Sequence, residues 1–114
     1  MSTSILDTIK KMLGIDTAYT AFDVDIIVHI NAAFSTLNQL AVGPTTPYFI
    51  TDKTQTWNQF IGTAVGIESV KAYIWAKVKL AFDPPTTSFA IEALEKMCSE
   101  FEWRLNVKAE EPTT

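Results

Sequence analysis

Cysteine, histidine and glycine are scarce in this chain, and each shortage removes a class of function. The single cysteine, Cys98, excludes an intrachain disulfide framework and fits synthesis in a reducing compartment. One histidine, His29, and one cysteine cannot make a usual zinc site. The sequence also holds no H-E-x-x-H and no glycine-rich phosphate loop. Nucleophilic catalysis needs a nucleophile with a base in reach, and only these two side chains and scattered hydroxyls are on offer. The expectation is a protein that is not an enzyme, with no catalytic, cofactor-binding or metal-ligating residues and no cofactor. "DVD" at 23–25 lacks the further acidic positions and the glycine of a calcium loop, and reads as carboxylates favoured at a helix start.

Positive charge is short as well. There are 9 Lys and Arg against 13 Asp and Glu, a net charge of −4, which argues against affinity won by neutralising phosphates. No apolar run approaches the roughly 20 residues of a membrane span. Lys10 and Lys11 follow the first apolar residues instead of preceding them. A soluble, unexported protein with no membrane partner is expected.

What is present is apolar residue at helical spacing. With 114 residues, 47% of them hydrophobic, the chain can build one modest core. The expected fold is a single all-α domain over 1–106, of four to five helices, followed by a flexible tail over 107–114. Ser4 to Leu13 reads as a short amphipathic helix, with Ser4 and Asp7 as a capping pair, Lys10 and Lys11 in the last turn and Gly14 as the stop. A second helix runs from Thr20 or Asp23 to about Ala41 on the stripe Ile26, Ile27, Ile30, Ala33, Phe34, Leu37 and Leu40. Residues 43–66 hold all but one of the glycines and read as an irregular loop. It has room for a short β pairing at "YFIT" and one helical turn at "TWNQFIG" capped by Thr54 or Thr56. Glu68 to Phe82 is apolar around nearly its whole circumference, with Val70, Ile74, Val78 and Ala81 on one side, so enclosure on several sides is expected, part of it by another chain. The last helix, Thr87 to Leu105, buries Ile91, Leu94, Cys98, Phe101 and Leu105 and pairs Glu92 with Lys96 and Glu100 with Arg104 on its polar side.

Between the last two helices stands "DPP". Both prolines lack an N–H, so one helix must stop and the next must leave at a fixed angle, with Asp83 expected to cap the new start and Pro84 at its first position. His29 reads as a packed histidine, Cys98 as a small hydrophobe, and Lys77 as a lysine that snorkels or pairs.

The side chains that do not fit a solvated monomer surface are the candidate contact residues. Val24, Val28, Asn31, Ala32 and Ser35 make a small, uncharged second face on helix two, where lysine and glutamate would be usual. Trp75 and Phe82 lie off the main stripe of their helix, and Trp103 falls on a polar side. Val24, Val28, Ala32, Trp75, Phe82 and Trp103 are therefore the candidate subunit or partner interface.

"ILDTIKKMLGI", "FDVDIIVHINAAFSTLNQLAVGP", "TWNQFIG", "VKAYIWAKVKLAFDPP" and "SEFEWRLN" together resemble the head–tail connector (adaptor) family of tailed bacteriophages, in order and spacing from Ile5 to about Asn106. The most specific parts are "YIWAKVKLAFDPP" and "EFEWRLN". The resemblance implies a mostly helical structural protein of the virion, made in the bacterial host cytoplasm. It implies a homo-oligomeric ring, commonly of about twelve copies, beneath the portal protein. Such a ring extends the DNA channel, with DNA only as transiting cargo, and docks the next neck or tail-completion protein. Head-to-tail contacts that close a ring are heterologous and need two different side faces, which the candidate residues could supply. Two other readings stay open: a different small neck or tail-completion protein, and a helical DNA-binding regulator, for which the charge has the wrong sign.

Overall fold

The computed structural model describes residues 4–42, 46–61 and 67–110. Among them are five helices: α1 (Ile5–Met12), α2 (Asp23–Gln39), α3 (Trp57–Ile61), α4 (Ile67–Phe82) and α5 (Ser88–Glu110). The domain is all-α, as its periodicities predict. α5 continues through Glu110, past the end expected at Leu105.

α1 forms as its punctuation dictates. Ser4 Oγ accepts from Asp7 N at 3.2 Å, and Gly14, at φ 83°, takes the left-handed position that closes the helix. A Cβ on Gly14 would meet nothing within 4 Å, so conformation rather than space requires the glycine. Lys10 stands in the last turn as expected but is only 1% exposed, because it reaches back over the following loop to Thr17, Tyr19 and Asp23. Its ammonium donates to Thr17 O (3.0 Å) and Tyr19 O (2.7 Å) and pairs with Asp23 Oδ1 at 2.8 Å, tying α1, the 13–22 loop and the start of α2 together. Two carbonyls accept from the ammonium and the Asp23 carboxylate supplies its counter-charge.

α4 is the central element and packs on α1, α2 and α5. Val70, Tyr73, Ile74, Ala76 and Val78 are buried, so much of the enclosure expected for this helix comes from its own chain. Ala81, expected on the buried stripe, is exposed near the helix end. α2 buries Ile26, Ile30, Ala33, Phe34 and Leu37. Phe34, Tyr48 and Phe60 stack at 4.7–5.5 Å between centroids, joining α2, the central loop and α3. The dimensions are 45 × 35 × 21 Å. The short dimension is about two helix diameters, which leaves the outer faces of α2 and α5 uncovered.

The "YFIT" segment is not a strand. The one β bridge among the described residues joins Ser4 to Thr56, reinforced by Ile5 N donating to Gln55 O. "YFIT" is held instead by a side chain: Asn31 Oδ1 accepts from Ile50 N (2.8 Å) and Asn31 Nδ2 donates to Ile50 O (3.0 Å). A carboxamide offers the same donor and acceptor as a neighbouring strand, so one residue of α2 substitutes for the pairing and seats Ile50 in the core. Asn31 therefore leaves the free second face of α2. Thr56 begins α3, where Gln59 Oε1 accepts from Thr56 N at 3.1 Å, one arm of a capping box.

The corner also differs from expectation at its far side. α5 starts at Ser88 with Thr87 as the cap, its Oγ1 accepting from Ala90 N at 3.2 Å. Pro85 disfavours helical conformation at Pro84, so the helix cannot begin there, and Asp83 pairs backwards with Lys79 at 2.9 Å.

Candidate functional site

Helical geometry sorts the six candidate residues into three places. Val24 (74% exposed), Val28 (59%) and Ala32 are four residues apart on α2 and form a continuous outward line, opposite Ile26, Ile30, Ala33 and Leu37. Ser35 extends it. Trp103 is 68% exposed on α5, on the side opposite buried Cys98 and Leu105. Trp75 and Phe82 lie elsewhere, half-buried against the core. The Trp75 indole N–H is buried without an acceptor among the described residues. Phe82 sits edge-on to Phe22 at 5.4 Å between centroids and 6.5 Å from the His29 ring. Phe22 is edge-on to Tyr19, so an aromatic row runs from the end of α4 to the surface of the 13–22 loop.

The most exposed large hydrophobic side chain among the described residues was not singled out in the sequence. Phe89, in the first turn of α5, is 83% exposed. It stands on the same outward line as Lys96 and Trp103, each seven residues from the next. That spacing brings side chains back to nearly one azimuth of a helix, so it was the available signal. The buried line of α5 is thinner than expected. Cys98 and Leu105 are buried, while Ile91, Leu94 and Phe101 remain half-exposed.

Between α2 and α4 lies a shallow open groove of about 320 Å³, lined by His29, Ala32, Ala33, Lys77, Leu80 and Ala81. Lys77 is in no ion pair among the described residues, and its charge lies close enough to Cys98 to oppose in part the effect of burial on the thiol. Burial nevertheless dominates and pushes the Cys98 thiol up, away from a reactive thiolate. Tyr73 is pushed strongly up, first by burial and then by its hydrogen bond to Glu102 Oε2 at 2.8 Å. Both groups are held neutral, as packed core residues are. Among the described residues no group of three His, Cys, Asp or Glu side chains could hold a metal ion, and no helix is long and apolar enough to cross a membrane.

A surface of this kind suits recognition by shape and apolar contact, and a family match says what sort of protein carries it. The model of the phage connector proteins matches residues 5–112. The chain belongs to the phage connector protein family. The resemblance carried by "YIWAKVKLAFDPP" and "EFEWRLN" is thereby borne out: the first forms most of α4 and the corner after it, the second the part of α5 that contains Trp103. As a phage connector the chain is a structural component of the virion that associates with other head and neck proteins. No curated protein and no solved structure matches it.

Proposed function

We propose that this connector works as the head–tail adaptor: a subunit of a ring, of about twelve copies, that sits under the portal protein, extends the DNA channel and docks the next neck or tail-completion protein. The observation that carries this reading is the pair of uncovered apolar faces on different helices, Val24–Val28–Ala32 on α2 and Phe89–Trp103 on α5. A monomer gains nothing from leaving both in water, whereas a ring needs two unlike faces on each subunit. The net charge of −4 also suits a channel through which duplex must slide without sticking.

The test is Val28→Glu. Val28 already faces water in the monomer, so a carboxylate there leaves helicity and melting temperature unchanged. It lowers the fraction of protein assembled into rings, alone or on added portal, as seen by electron microscopy. Equal loss of helicity and assembly would mean that Val28 supports the subunit core.

A further inference from the structure

The two outward faces differ in the size and sign of what they offer. On α2 the residues are small, and the charge beside them is Asp25, which is exposed and in no ion pair among the described residues; Asp23 is already taken by Lys10. On α5 the apolar residues are large, and the line carries Lys96, exposed and likewise in no ion pair among the described residues; of the carboxylates one turn either side of it, Glu100 is taken by Arg104 and Glu92 is exposed. We infer that α2 of one copy lies antiparallel against α5 of the next, with Asp25 opposite Lys96, and that this pairing is the subunit contact of the ring. The inference rests on the ring reading above and adds its partner surface, direction and register.

The spacing supports that register. Ala32 follows Asp25 by seven residues, and Phe89 precedes Lys96 by seven, so the apolar residue and the charge are about 10.5 Å apart along each helix. With Asp25 facing Lys96, antiparallel helices set Phe89 on Ala32, exposed Ala93 on Val28, and Glu92 beside half-exposed His29. The most exposed aromatic side chain then meets the smallest residue of the stripe, and every charge on the contact line meets its opposite or a neutral group. The parallel alternative sets Trp103 on Ala32 but leaves Val28 against Ser99 and Glu100, whose carboxylate Arg104 already holds. The ion pair chooses the register; apolar burial provides the hold. The corner has a part in this arrangement, because the direction that Pro84 and Pro85 impose on α5 decides where Phe89 projects.

The test is a charge exchange in the full chain. Asp25→Lys and Lys96→Asp each lower the ring fraction several-fold, measured by native mass spectrometry with and without portal, while circular dichroism stays that of the wild type. The double variant regains most of the wild-type ring fraction. If the wild type forms rings but the double variant is as poor as the single ones, or the single ones assemble normally, the pairing is wrong and the ring reading stands. A wild type that forms no ring in either condition overturns both. In a Cys98→Ala background, Ala32→Cys should link to Phe89→Cys of a second copy through a short thiol cross-linker. Linkage of Ala32→Cys to Trp103→Cys instead would overturn the antiparallel direction.

Discussion

Lys10 is the residue whose role the sequence least suggested and the structure defines most fully. It occupies the apolar register of α1, four residues after Leu6 and three before Leu13, and that register was legible. Its acceptors were not, because two of the three are backbone carbonyls of a loop whose path no periodicity encodes. The consequence is asymmetric. Asp23→Ala leaves a fully buried ammonium with two carbonyls and no counter-charge, and should cost about 3–5 kcal/mol by urea denaturation. Lys10→Met removes the charge and leaves Asp23, which is partly exposed, to water; it should cost clearly less. The reverse order would show that the ion pair is not what closes the α1–α2 junction. Tyr73 and Cys98 make the second prediction at this scale. Both are held neutral by burial, so the folded chain keeps their protons at a pH where the unfolded chain releases them. Stability should be intact at neutral pH and fall progressively above about pH 9, and Tyr73→Phe should flatten the alkaline part of that fall. An unchanged slope in Tyr73→Phe would remove tyrosine ionisation as its cause.

The helices themselves were legible from their apolar periodicity, most sharply where an end is marked. Ser4 and Gly14 bound α1, Thr56 with Gln59 opens α3, and the two prolines separate α4 from α5. What failed was any inference that needed a partner distant in sequence. The central loop looked able to pair as a strand because "YFIT" has strand composition, yet Asn31, nineteen residues upstream, supplies the pairing from a helix. No local pattern distinguishes that asparagine from a surface one. Asn31→Ala should therefore cost about 1–3 kcal/mol, since it orphans both backbone groups of a buried residue, and should raise amide exchange at Ile50 before that of α2 or α4. Exchange at Ile50 unchanged from wild type would mean that the loop is held by its aromatic contacts alone. Of the bare surface, only Phe89 was not singled out, for a related reason. Val24, Val28 and Ala32 advertise themselves by lacking charge and Trp103 by falling on a polar side, whereas Phe89 reads as an ordinary first-turn residue unless its seven-residue spacing to Lys96 and Trp103 is followed.

At the scale of the whole molecule, the features combine into a slab about two helices thick, with α4 enclosed and the outer faces of α2 and α5 bare. The family fixes the chain as a phage connector, and the bare faces are the surfaces that we propose meet neighbouring subunits. A closed ring joined through these faces is the assembly proposed for the chain. Native mass spectrometry of the purified chain, alone and with portal, tests it most directly. A ring joined through these faces gives one discrete assembly of about twelve subunits, formed alone or once portal is added, and Val28→Glu loses it. A strict monomer that ignores portal yet binds duplex DNA with a steep salt dependence would contradict it.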